Sequence, residues 1–252
     1  MSEQVLRIKK ENAWKYSTFL LAALLVVLLM VQYGSERGVV TQGTGVGAQV
    51  LPAVQGKAQI PVSDKDVQIG SSDASVTVVE FADFSCPWCG AASGQNTEVV
   101  TYAKAQISAQ WEPPVPKMME EYVKNGKIRF VMKYYPGHGS GQQAQLIGWC
   151  LYDQNKDSFW KYHDLVFANQ ADANNAAKMK TLAQQAGGNV TNIDECLKSK
   201  NYEARLAEDS ALGRSLKIAG TPAFYVNNIE VLGGAVSYST LKQAIEAALE
   251  KK

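Results

Sequence analysis

The chain is poor in cysteine and histidine and almost without net charge. Its 252 residues include four cysteines and two histidines, and 25 basic side chains nearly balance 24 acidic ones, for a formal charge of +1. Such neutrality leaves no electrostatic footprint for nucleic acid or for a strongly acidic partner. The cysteines, Cys86, Cys89, Cys150 and Cys196, are too few for a disulfide scaffold of this length, although an even count suits an oxidising compartment. A structural zinc site needs four ligands. Beyond Cys86 and Cys89 the chain offers only Cys150, Cys196, His138 and His163, with no second CxxC and no HxxxH. No metal and no other cofactor is therefore expected. There is no internal repeat, and the length suits one domain on a tether better than two catalytic domains.

Charge is also missing locally. From Tyr16 to Ser35 no residue is charged, and Phe19 to Val31 is apolar throughout. Twenty helical residues span roughly 30 Å, the thickness of a bilayer core. Trp14, Tyr16 and Tyr33 bracket the run, and Arg7, Lys9, Lys10 and Lys15 precede it. Aromatic flanks favour the membrane interface, and basic ones keep the preceding end cytoplasmic. The alternative is a cleaved signal peptide, but the run is long for one and no clean small-x-small site follows Met30. The expectation is a cytoplasmic N-terminus (1–15), one transmembrane helix (16–35), a flexible tether (36–65) and an extracytoplasmic domain (66–252). The tether, rich in glycine and poor in aromatics, would reach on the order of 30 Å.

Within the domain, Ser75–Phe81 (SVTVVEF) is β-rich and almost continuously apolar, as a buried central strand should be. Trp111–Pro116 (WEPPVP) should break any helix. Met118–Lys124 reads as a short helix closed by Asn125-Gly126, and Ile128–Tyr135 as a second strand. Helical periodicity then runs from about 140 to 217 and includes a helix capped by Thr191 or Asn192. His163 falls on an apolar face of that block and reads as a core residue, while His138 sits between glycines in a loop. Strands return at Ala223–Val226 and Glu230–Leu232 about an Asn227-Asn228 turn, and Thr240–Glu250 is an amphipathic helix. The class is α/β with a helical insertion.

Chemistry concentrates at Cys86-Pro87-Trp88-Cys89, directly after the buried strand and at the start of a helix. Unpaired N–H groups at a helix N-terminus favour a thiolate. CxxC thiols in such sites have pKa values lowered to roughly 3.5–7. Pro87 suits the first helical turn, where its missing N–H costs nothing. A purely structural CxxC disulfide would close too short a ring to stabilise much. Cys86 is expected to be the exposed, acidic thiol and Cys89 the shielded one. A metal-handling protein, such as a copper chaperone using the same two cysteines, and a tethered peptide-binding module are the readings from other classes. Cys150 and Cys196 both fall in the helical insertion, where they are expected to form a structural disulfide or else remain two buried thiols.

The sequence resembles the DsbA-like, thioredoxin-fold disulfide oxidoreductases over residues 66–250. The resemblance is carried, in order, by VTVVEFADFSCPWC, GKIRFVMKYYPGHGS, FWKYHDLVF, DECLKSKNY and IAGTPAFYVNN. It implies a thioredoxin fold with a helical insertion at about 140–217. It makes Cys86 the nucleophile and Cys89 the resolving cysteine, and it places Thr221 and a cis Pro222 opposite the dithiol. It also makes Glu80 a buried acid beneath them that can relay the resolving cysteine's proton. The implied activity is disulfide formation or exchange in exported proteins, with isomerase or reductase as the alternative. The implied partners are reduced or misfolded exported polypeptides and a membrane redox protein that resets the dithiol. Two departures stand out: residues 91–116 are longer than the family's usual first helix and link, and Trp88 replaces the histidine of its best-known members.

Overall fold

The computed structural model describes residues 58–137, 141–199, 201–231 and 234–251. The expected cytoplasmic segment, the span at 16–35, most of the tether and His138 lie outside the described residues. Among those described, no helix is long and apolar enough to cross a membrane.

Five strands form one sheet: β1 (Val67–Gly70), β2 (Val76–Ala82), β3 (Ile128–Tyr134), β4 (Ala223–Val226) and β5 (Ile229–Val231), in the order β1-β3-β2-β4-β5. β2 and β3 run parallel, in register from Val76 opposite Ile128 to Ala82 opposite Tyr134, and every other pairing is antiparallel. Both are covered on both faces, which explains their nearly unbroken apolar sequences. Val76 and Val78 face Met118, Tyr122, Leu241 and Ile245, whereas Val79 and Phe81 face Ile218 and Ile60. Alternation along the strand puts Glu80 on the face of Val76 and Val78. Ile60, placed in the tether by composition, is buried on the sheet, and the Ala58 N–H donates to the Asn228 carbonyl at 2.8 Å.

The β4–β5 turn holds Asn227 and Asn228 at φ 49° and 69°. Asparagine tolerates this left-handed region better than most residues, so the pair makes the tight hairpin. The Asn227 side chain also accepts the Thr77 N–H at 2.9 Å, fastening the turn to β2.

After β2 come α1 (Pro87–Ala92) and α2 (Thr97–Gln106), then α3 (Pro114–Met118), which continues as one π turn over Met119–Val123. The WEPPVP run therefore starts a helix rather than only breaking one: Pro113 is the N-cap and Pro114 occupies the first turn, where no N–H is needed. Between β3 and β4 lie α4 (Gln142–Gln154), α5 (Lys156–Phe167), a 3-10 turn (Gln170–Asp172), α6 (Ala176–Gln185), α7 (Val190–Lys198) and α8 (Asn201–Ser215). Asn189, not Thr191 or Asn192, caps α7 by accepting the Asn192 N–H at 3.1 Å. All three residues are of good capping type, and only the backbone path out of α6 separates them. Trp149, Phe159, Tyr162, Met179, Leu182 and Ile193 fill the core of this insertion. Cys150 on α4 and Cys196 on α7 form a disulfide with Cα atoms 5.8 Å apart. His163 is buried among Phe84, Phe159, Trp160 and Phe167, with Nδ1 2.9 Å from an Asp164 carboxylate oxygen. The last helix is α9 (Tyr238–Leu249), capped by Ser237.

Candidate active site

The end of β2 delivers the chain to α1 through Asp83, Phe84, Ser85 and Cys86. Asp83 is buried and sets this turn: one carboxylate oxygen accepts the Ser85 N–H at 2.9 Å and the other the Gly137 N–H at 3.0 Å. The Asp83 carbonyl accepts the Cys86 N–H at 2.9 Å. Cys86 is the N-cap residue of α1, with extended backbone (φ −79°, ψ 118°), and Pro87 takes the first helical position. The Cys86 carbonyl accepts the first helical N–H groups, from Cys89 at 3.0 Å and Gly90 at 3.2 Å. Placing the sulfur at the N-cap brings it near backbone N–H groups that have no partner inside the helix.

Both thiols are reduced and both are buried. The expected exposure of Cys86 is thus corrected. Its sulfur lies against the loop before β4, donating to the Thr221 carbonyl at 3.1 Å, and the side chain joins a cluster with Phe84, Phe167 and the insertion core. A thiol that contacts a loop 135 residues away is covered by a tertiary neighbour that helix position alone does not reveal. The Thr221–Pro222 peptide is cis. Thr221 is buried, and its hydroxyl has no hydrogen-bond partner among the described residues.

The two sulfurs differ sharply in acidity. A hydrogen bond from the Cys89 thiol is the largest influence pulling Cys86 down, to about 5. Burial opposes it, and the Cys89 and Trp88 backbone groups reinforce it. Cys89 moves the other way, well above an ordinary thiol, because it is buried and because it donates to Cys86. Its sulfur in turn accepts from the Asp83 N–H at 3.5 Å. Glu80 is also buried, in register between Met132 and Phe224. Burial first, then the charge of Cys86, pushes its carboxyl up to about 8. It is therefore protonated at neutral pH, and only as it ionises at higher pH does its charge add to the influences that raise Cys89.

Trp88 is partly buried and meets Tyr102 of α2 edge-on, with ring centroids 6.1 Å apart. The long 91–116 segment is thus α2 and its links, placed beside the dithiol. Among the described residues no group of three or more His, Cys, Asp or Glu side chains is arranged to hold a metal ion. The structure brings together Cys86, Cys89, Glu80, Thr221, Pro222, Pro87 and Trp88, and places Cys150–Cys196 apart, within the insertion. Sequence reasoning missed Asp83 and Gln170. Asp83 had a local signal, a carboxylate three residues before Cys86 at a strand end, whereas Gln170 had none.

A strand-to-helix dithiol with one acidic sulfur, facing a cis-proline loop, defines a thiol–disulfide oxidoreductase of thioredoxin fold. The chain matches the family described as thioredoxin over residues 62–108 and 99–247, and it belongs to that family. It is a DsbA-like member. Disulfide bond formation protein D of Bacillus subtilis is 27% identical over 190 residues, which cover 73% of this chain and 77% of that one. The crystal structure of oxidised BdbD from Bacillus subtilis superposes with a TM-score of 0.60 at 26% identity, covering 79% of this chain and 98% of that chain. Wolbachia pipientis alpha-DsbA1 shares the fold, with a TM-score of 0.59 at 17% identity over 76% of this chain and 94% of its own.

Proposed function

We propose that the protein donates disulfides to exported polypeptides, with Cys86 as the exchanging sulfur and Cys89 as the resolving one. The observation that carries this reading is the divergence of the two sulfurs, one held acidic at the N-cap and the other held protonated behind it. In the oxidised enzyme a substrate thiolate attacks Cys86 Sγ. The Cys86–Cys89 bond breaks, a substrate–Cys86 bond forms, and Cys89 leaves as a thiolate that takes a proton relayed by Glu80. A second substrate thiolate then attacks the substrate sulfur of the mixed disulfide, and Cys86 leaves as a stabilised thiolate. The substrate loses two electrons and the enzyme dithiol gains them. Thr221 and cis-Pro222 present backbone to the bound substrate strand. Pro87 and Trp88 shape the rim.

The oxidising direction follows from compartment, since structural disulfides form and persist outside the cytosol. The apolar run at 16–35 with its basic flank supports a single-pass anchor that keeps the domain on the extracytoplasmic side of the cell membrane. A membrane redox protein that re-oxidises the dithiol is the matching partner, and reduced or misfolded exported chains are the substrates. Protease added to intact spheroplasts should digest the domain, and full protection would overturn this topology. The chemical assignment is tested by trapping. Cys89→Ser should accumulate mixed disulfides with substrate peptides and Cys86→Ser should accumulate almost none, with both variants losing net oxidation. The reverse pattern would exchange the two roles.

A further inference from the structure

Besides apolar packing on Phe84, the helical insertion hydrogen-bonds the active-site turn through one carboxamide. Gln170 opens the 3-10 turn after α5. Its Nε2 donates to the Phe84 carbonyl at 3.0 Å and to the Cys86 carbonyl at 2.8 Å. Its Oε1 accepts from Asn96 Nδ2 at 2.9 Å. A carboxamide has two N–H donors, and here both are spent on the strand-to-helix turn, one on each side of Ser85. Asn96, held from its other end, caps α2 by accepting the Val99 N–H at 3.1 Å. One side chain therefore ties the insertion to the redox turn and to the helix beside Trp88.

Gly90 makes the room for it. A Cβ at residue 90 would stand 2.2 Å from Gln170 Oε1 and 2.7 Å from its Cδ. Glycine within a helix is destabilising relative to alanine, so its place directly after Cys89 calls for a reason, and the space taken by the carboxamide supplies one. The carbonyl that Gln170 grips is the one that also starts α1, through Cys89 and Gly90. Gripping it fixes the peptide plane after Cys86, and hence where the Cys86 sulfur lies relative to the Trp88 and Cys89 N–H groups and the Thr221 carbonyl.

We propose that Gln170 is a positioning residue for the Cys86 thiolate, acting by pinning the Phe84 and Cys86 carbonyls so that the N-cap geometry holds in the reduced enzyme. This rests on Cys86 being the acidic, exchanging sulfur. Gln170→Met keeps the length of the side chain and removes its donors. Gly90→Ala displaces the carboxamide without touching it chemically.

The test is the thiolate absorbance titration of Cys86 and the equilibrium constant against glutathione, measured on parent, both single variants and the double variant. Each single variant should raise the Cys86 pKa by about one unit and make the enzyme about tenfold less oxidising at pH 7, since one unit corresponds to a tenfold change. Two changes that break one contact are not additive, so the double variant should go no further than either single one. The proposal is overturned if both singles keep the parent's pKa and equilibrium constant within about twofold, even where both redox forms melt at a lower temperature. If Gln170→Met does not fold, Gly90→Ala alone decides. If the parent's own Cys86 titrates as an ordinary thiol, the assignment of the exchanging sulfur has failed instead, which separates the two failures.

Discussion

The molecule holds two cysteine pairs that have been given opposite fates. Cys150 and Cys196 join α4 to α7 across 46 residues, and Cys150 is buried in the insertion core. Cys86 and Cys89 are three residues apart, and the fold holds one sulfur acidic through hydrogen bonds it accepts and keeps the other protonated through burial and the bond it donates. Burial does not separate the pairs, since Cys86, Cys89 and Cys150 are all inaccessible. What separates them is the stability of the reduced state. A pair whose thiolate is stabilised gives its disulfide away, and a pair that closes a long loop in an apolar core keeps it.

That comparison can be broken most forcefully at the insertion. Closing a 46-residue loop contributes about 4 kcal/mol in the chain-entropy account. Replacing Cys150 and Cys196 together by alanine should cost that much in urea unfolding while leaving the Cys86–Cys89 potential unchanged. A shifted potential with intact stability would mean the two pairs are not separate devices.

A smaller effect sharpens the comparison from the redox side. The carboxyl of Glu80 is raised in the folded protein, from an ordinary 4.5 to about 8. The folded state therefore binds a proton that the unfolded state releases. The cost is absent below pH 4.5, grows as pH rises towards 8, and is constant above that. At pH 7 it amounts to about 3 kcal/mol. Glu80→Gln should leave stability at pH 4 unchanged and raise it by about that amount at pH 7, read from urea unfolding of the reduced protein. Turnover should fall under the proposed relay of the Cys89 proton through Glu80. Parallel stability curves for parent and variant across this range would remove Glu80 from the account.

Much of this site was legible in the sequence because its signals are local. Val76–Ala82 reads as a central strand from its apolar run, Cys86 and Cys89 from their spacing at a helix start, and Asn227-Asn228 from turn chemistry. What was not legible depends on contacts between distant segments. Gln170 meets Cys86 across 84 residues, and nothing near position 170 marks it. The covering of Cys86 by the Thr221 loop is of the same kind. Asn189 does not stand out as the cap in the sequence, because Thr191 and Asn192 satisfy the same preference. The WEPPVP run does separate α2 from α3, but it also starts α3, because proline breaks a helix interior yet favours a helix start. Lys133, buried on β3, shows the same limit: its partners Asp66 and Asp209, at 2.8 and 3.4 Å, come from distant segments on either side of it in the sequence.

The most direct test of the central claim is the reduction potential of the Cys86–Cys89 pair. The Cys86 thiol is depressed to about 5 from an ordinary 9.0. Its stabilisation of the folded, reduced enzyme is complete above pH 9 and is lost as pH falls through 5. At pH 7 it is worth about 3 kcal/mol, or ~60 mV in a two-electron couple. Equilibration against a glutathione buffer at pH 7 should give a value near that of the disulfide isomerases, about −180 mV, or more oxidising. A value near that of thioredoxin, about −270 mV, would contradict the account and make the protein a reductant.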